Sequence, residues 1–273
     1  MYQIHAIKLI AKKDVMRTLR TPGVYLAFLM SCAGATLSAY FFSVVSNAFS
    51  SMGVGLTDIY TSITMLAILG IYALYMAVTS VTTIARERQD KTLEVLFYGP
   101  VNQKSFILGK YLGRMAIFIL LLLGTTLYIT AAGLAFGLGV NETSLKLAIL
   151  STLLISCIVS LGILLSTLTS SVTGSIFLLI IFMIAMFLLK VAGIFLGIIP
   201  DINPIITIAR NMTVTLINVT QYVSPVEYLS IGIDAVNSAD LLKYAAGFLY
   251  PAAYTGLLLW ISTVILKKKG VKQ

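Results

Sequence analysis

IARERQDKTLEVLFYGPVNQKSFILGK, residues 84–110, is the longest charged stretch in a chain that is otherwise mostly hydrocarbon. A long apolar run ends just before it and another begins just after, which makes it a loop between two membrane spans. The loop carries its own order. Leu93, Leu96 and Phe97 fall at i, i+3 and i+4 and share one helical face. Arg86 and Asp90, and Glu87 and Lys91, stand four apart, the spacing of helical ion pairs. Gly99-Pro100 stops the helix, and Asn102 is placed to cap the next one. The spacing thus predicts a short amphipathic helix held at the membrane surface. Two readings fit it: docking into a groove on a soluble partner, or resting in the headgroups.

The surroundings follow from composition. The chain has 273 residues, 59% of them hydrophobic and 11% charged, with a net charge of +9. Its mean hydropathy is +0.98. This is an all-α polytopic membrane protein with no polar stretch long enough for a separate soluble domain. The basic residues sit at the ends of apolar runs, where they meet anionic headgroups, so the charge points to membrane lipids and not to nucleic acid. The start lacks the uninterrupted apolar core of a cleaved signal peptide. Cys32 and Cys157 lie inside apolar runs and suggest neither a disulfide nor a metal pair.

Tyr2 to Arg20 reads as a basic amphipathic helix, with Ile4, Ile7, Ala11 and Val15 on one stripe and Lys8, Lys12, Lys13, Arg17 and Arg20 elsewhere. Residues 1–21 are thus an interface helix, and Thr21-Pro22 restarts the chain. Six apolar segments follow, each long enough to span a bilayer: 22–46, 59–84, 106–138, 145–169, 172–199 and 241–266. The third is overlong, so its first turns stand outside the hydrocarbon. The fourth and fifth are divided only by Ser170-Ser171. With six spans, the basic residues of the N-terminal segment, of Arg86–Arg114 and of the tail after Leu266 all fall on one side. Lys146, Lys190, Arg210 and Lys243 are the only others. That sorting makes both termini cytoplasmic.

Residues 200–240 form the long outer segment. It is too apolar for a solvated loop, and Pro204 and Pro225 each open a stretch of helical spacing. The expectation is two short helices on, or dipping into, the outer leaflet. An irregular loop is the alternative. Asn141-Glu142-Thr143, Asn211-Met212-Thr213 and Asn218-Val219-Thr220 match the glycosylation pattern, without meaning in the outer loop of a prokaryotic protein. Gly133–Gly137 and Gly193–Gly197 have the spacing of close helix approach, within one subunit or between subunits.

Sites of chemistry are missing. No GxxxxGK[ST] cradles phosphates, no HExxH is present, and the single histidine, His5, lies on the surface helix. Catalytic and metal-ligating residues are therefore not expected. A secondary carrier is the main rival. It needs a titratable acid inside a span, whereas Asp58, Glu142, Asp201 and Asp240 sit at span edges or in loops. A passive structural subunit would leave the same pattern. Lys190 lies in the outer part of the fifth span. It either snorkels to the headgroups or contacts anionic cargo or Asp201. Tyr40, Tyr72, Tyr75, Thr79, Thr82 and Thr83 on the first two spans are candidates for lining a transport path, with interhelical packing as the alternative.

Glu87, Thr92, Leu93, Glu94, Leu96, then Pro100-Val101 and Gly109-Lys110, resemble the loop between the second and third spans of ABC-2-type permeases, the membrane subunits of ATP-binding-cassette exporters. One departure is Lys91, where many relatives have glycine. The resemblance covers the whole chain. It implies that residues 86–98 are a coupling helix seated in a cleft of a cytoplasmic ATPase subunit, with Glu87, Thr92, Leu93, Glu94, Leu96, Phe97 and Pro100 as coupling residues. It implies a pair of ATPase subunits that bind ATP and magnesium, with no cofactor on this chain. It also implies a second permease copy or a related permease, and cargo moving outward along their interface in the plasma membrane. The third expectation is mechanical: Leu93, Leu96 and Phe97 form an exposed apolar patch covered by the ATPase.

Overall fold

The computed structural model describes residues 2–49, 57–97, 101–138, 143–198, 204–221, 224 and 241–269. Among these residues the chain is helical, with no strand. In order the helices are α1 (Tyr2–Leu19), α2 (Pro22–Phe49), α3 (Thr57–Val81), α4 (Thr83–Gln89), α5 (Thr92–Phe97), α6 (Gln103–Ala135), α7 (Thr143–Leu168), α8 (Val172–Ile198), α9 (Pro204–Gln221) and α10 (Leu241–Lys269). Six stretches are long and apolar enough to cross a membrane: Pro22–Ser46, Ile59–Gln89, Gln103–Ala135, Lys146–Leu168, Val172–Leu196 and Phe248–Lys268. The six expected spans are all present, with ends displaced by a few residues.

The division at Ser170-Ser171 is a turn with its own cap. Ser171 Oγ accepts from the Gly174 amide (3.2 Å) at the start of α8, and its carbonyl accepts from the Ser175 amide. This satisfies amides that the first turn of a helix leaves open.

α7 is the most enclosed span and lies at the centre, against α3, α6 and α10. Among apolar surfaces in lipid there is no hydrophobic drive between helices, so small residues and hydroxyls hold them together. Gly162 lets α7 approach α3 so closely that a Cβ there would stand 2.8 Å from Ser80 Cβ. Tyr111 Oη, Ser156 Oγ and Thr255 Oγ1 run as a chain of hydrogen bonds (2.6 and 3.1 Å) through α6, α7 and α10. Ser31–Tyr72 (2.8 Å) and Ser38–Thr64 (2.9 Å) join α2 to α3, and Thr36–Tyr128 (3.0 Å) joins α2 to α6.

α1 is not simply laid on a surface. It packs along the first turns of α6, and this cover explains why the overlong third span is buried from its start. Gly109 and Gly113 make the approach: a Cβ on Gly109 would meet Ile10 Cβ at 2.8 Å, and one on Gly113 would meet Asp14 Cβ at 3.0 Å. Ile4, assigned by periodicity to the apolar stripe, is exposed, while Val15 of that stripe packs on the core and Ile10, Asp14 and Thr18 share the packing face.

The two expected close-approach pairs divide. Gly137 has φ +71 and ends α6. Its amide bonds the Leu134 carbonyl and the Leu138 amide bonds the Gly133 carbonyl, so it terminates a helix and packs against nothing within 4 Å. Gly193 is a packing glycine within this subunit, facing Ile217 of α9.

α9 turns back along α8. Gly193 meets Ile217 while the Leu196 carbonyl accepts from Arg210 Nε (3.0 Å), so the two helices run antiparallel. Beyond its end, Ser224 is buried and shares an apolar cavity with Ala73 and Leu74 of α3 and Phe182 and Met183 of α8. The first of the two short helices therefore lies antiparallel against α8. The helix expected from Pro225, the surroundings of Gly197, and Gly99-Pro100 lie outside the described residues.

Candidate functional site

The charged loop that opened the sequence analysis lies at the end of the bundle that also holds α1, the end of α7 and the end of α10. This is the basic end. The single helix expected over 86–98 is two helices. α4 is nearly continuous with α3 after a break at Thr82, and α5 follows a second break at Asp90-Lys91. Lys91 adopts φ +55, the left-handed region that side chains with a Cβ rarely enter. Glycine, which the resemblance expects at this position, would enter it at no steric cost. The turn also cancels the expected pairing of Glu87 with Lys91, because the two no longer lie on one helix face.

α4 is clamped from two sides. On one side α7 and α8 hold it. Ser166 Oγ accepts from the amides of Ile84 (3.0 Å) and Ala85 (2.9 Å), which the break after α3 leaves without helical partners. Arg88 Nη1 donates to the carbonyls of Thr167 (3.4 Å) and Thr169 (2.9 Å) at the C-terminus of α7, where a cation also meets the negative end of the helix dipole. Gln89 Oε1 accepts from the Val172 amide (3.1 Å) at the start of α8.

On the other side lies a buried ion cluster. Lys110 Nζ of α6 donates to Asp14 Oδ1 of α1 (3.0 Å) and to Glu87 Oε1 of α4. Arg114 Nε stands 3.2 Å from Asp14 Oδ2, donates to Thr83 Oγ1 (3.1 Å), and its Nη1 donates to Thr18 Oγ1 (3.1 Å). Asp14 is 3% exposed and Lys110 5%. Two acids and two bases make the cluster neutral, which buried charges at this depth require. Lys110, one helical turn before Arg114, thereby ties three separate elements together.

The expected exposed apolar patch is corrected. Leu93 is 5% exposed and belongs to the main core, and Phe97 is packed against that core with its ring edge-on to Phe106 (5.7 Å). The cause is that α5 lies on the bundle, with Leu93 in the core and Phe97 against Phe106 of α6. At its start Asp90, Lys91 and Thr92 are exposed, and Thr92 Oγ1 donates to the Glu87 carbonyl (3.1 Å). Glu94 and Leu96 lie on α5, but their side chains, like Pro100, are outside the described residues. Arg86 and Asp90 form no ion pair among the described residues, although their spacing offered one.

The candidate path residues also separate. Tyr40 is exposed on α2. Tyr72 is buried between α2, α3 and α6, bonded to Ser31 and edge-on to Phe118 (6.2 Å), so it serves packing. Tyr75, Thr79, Thr82 and Thr83 come together on the wall of an open cavity of about 310 Å³ between α1, α3 and the start of α8. Lys190 borders a second cavity of about 250 Å³, lined by apolar side chains of α3, α7 and α8.

Sequence reasoning missed Asp14, Gln89 and Ser166, took Arg88 and Arg114 only as orientation signals, and took Lys110 only as one of these and as part of the loop pattern. One signal was available: Gly109, Lys110, Gly113 and Arg114 repeat a small-then-basic pair one turn apart, a face that admits a helix and demands an acid from it.

The profile of the family described as ABC-2 family transporter protein matches residues 9–271. No curated protein matches the chain.

Proposed function

Since this chain belongs to the ABC-2 family of transporter proteins, we propose that it is the permease half of an exporter whose ATP is hydrolysed on a separate subunit. The observation that carries this reading is the double clamp on α4. Through Ser166, Arg88 and Gln89 the loop holds α7 and α8, and through Glu87 and Lys110 it holds α6 and α1. A push on such a loop is passed to several spans at once, which is what coupling to a nucleotide-driven partner requires. In this reading both termini and the loop face the cytoplasm of a cell whose plasma membrane the chain spans. The ATPase meets the polar tip Asp90–Thr92 together with the outward part of α5. A second permease copy, or a related one, covers the apolar faces of α2 and α8, the two least enclosed spans. Cargo that is lipid-like or amphipathic moves outward between the two permeases, along surfaces that carry no deep acid.

The test uses the exposed tip, where substitution leaves the core untouched. The double change Asp90→Arg, Thr92→Arg should leave expression and membrane insertion at wild-type level. It should abolish co-purification of a Walker-motif ATPase encoded beside this chain, and ATP-driven export with it. Co-purification at wild-type yield would remove the tip from the contact. Absence of any ATPase partner for the wild-type chain would remove the reading itself.

A further inference from the structure

We propose that the cavity between α1, α3 and α8 binds an anionic phosphate group, the chemistry shared by a phospholipid headgroup and a soluble phosphate ester. The charge balance is the first reason. Asp14 and Glu87 are matched by Lys110 and Arg114 inside the buried cluster. Arg17 and Arg86 line the same cavity, are exposed, and form no ion pair among the described residues. The site is therefore a neutral floor with two guanidinium groups left over at its rim. Asp14 is the one acid on its wall.

The donors are the second reason. The threonine hydroxyls on the wall are already donating to their own helices: Thr21 to the Thr18 carbonyl (2.6 Å), Thr79 to that of Tyr75 (2.9 Å) and Thr82 to that of Val78 (3.1 Å). Tyr75 Oη is different. It lines the cavity, is shielded from solvent, and makes no well-formed hydrogen bond, with Thr21 and Arg114 as its polar neighbours. What remains to donate is a phenol and two guanidinium forks. Planar forks bonding oxygens in pairs select phosphate over a point-like halide. The cavity of about 310 Å³ has room for a headgroup, and Val172 and Ile176 on one side offer an apolar wall to the glycerol end of a lipid. It also lies where the basic residues meet the apolar spans, the depth at which headgroups sit.

This inference needs neither transport nor an ATPase, so its test is independent of the proposed function. The full chain is reconstituted in nanodiscs, and spin-labelled phosphatidylglycerol and phosphatidylcholine report the immobilised fraction of each. The wild type should prefer the anionic lipid. Arg17→Gln with Arg86→Gln should lower that preference by about fivefold per arginine, the effect expected of each basic residue near anionic lipid. Tyr75→Phe, which keeps every charge, should weaken it too. Lys8→Gln with Lys12→Gln, on exposed turns of α1 away from the cavity, removes the same charge from the surface and should cost clearly less than the arginine pair. Displacement of the label by millimolar glycerol phosphate would make a soluble ester the ligand, whereas an undisturbed label assigns the site to lipid. Wild-type preference in the double arginine variant, or an equal loss in the lysine control, would overturn the site.

Discussion

Lys110 is the residue on which the basic end converges. Its ammonium holds Asp14 and Glu87 together, and these two carboxylates would repel each other without it. Lys110→Met should therefore cost more than Glu87→Gln, because it leaves Glu87 without a partner and Asp14 with Arg114 alone, inside a cluster that now carries net negative charge. Breaking a buried pair by removing one partner costs about 3–5 kcal/mol. The check is the thermal midpoint of the detergent-solubilised protein, with Lys110→Met well below Glu87→Gln. Equal midpoints would mean that the cluster is not a coupled unit. Lys91 makes the opposite case. It occupies a left-handed conformation that costs a residue with a Cβ about 1–2 kcal/mol. Lys91→Gly should raise the midpoint and Lys91→Val should lower it, since a β-branched side chain is the least tolerant there. A lower midpoint for the glycine variant would show that the turn is not strained.

At the scale of elements, the contact of α1 with α6 depends on two glycines. A side chain at Gly109 collides with Ile10 on the facing helix, and the collision involves a stiff β-branched residue that cannot swing away. Gly109→Val should release α1, making residues 2–19 sensitive to limited proteolysis while the spans stay intact. Adding Ile10→Gly should restore part of the protection, because it removes both colliding atoms, Cβ and Cγ2, and leaves only the Ile7 carbonyl at 3.2 Å. Failure of that rescue would place the damage elsewhere. The break between α4 and α5 belongs to this scale as well. Amphipathic spacing found a helical loop, and it located Leu93 and Phe97 on one face. It could not say which way that face turned. Phe97 lies against Phe106 of α6 and Leu93 is buried, so the face points into the bundle.

For the whole molecule, the labelling pattern tests both topology and the depth of α9. A cysteine at Asn141 should react with a membrane-impermeant maleimide from outside, and one at Lys91 only from the opposite side. Along α9, reaction at Asn211→Cys should be faster than at Asn218→Cys, because α9 descends antiparallel to α8 and the later residue is the deeper. Equal rates would return residues 204–221 to the membrane surface. Labelling of Lys91 and Asn141 from one side would break the six-span arrangement.

The class of protein, the count of spans and the collection of basic residues at one end were legible in the sequence. Each depends on a property summed along a single segment: the transfer of about twenty apolar residues into hydrocarbon, or the number of lysines and arginines beside it. Even the weakest boundary, Ser170-Ser171, followed from length alone, since one helix cannot use so long an apolar run. The tertiary structure decided what covers each face. Asp14 looked like one polar residue on a basic surface helix, and became the centre of a buried ion cluster only because Gly109 and Gly113 bring α1 against α6. Leu93 looked like a docking surface and became core for the same kind of reason. Periodicity reports that a helix has an apolar side, but burial belongs to pairs of helices. The partner of each pair is chosen by close approach, hydroxyl bonding and charge matching between residues as far apart as Asp14 and Lys110.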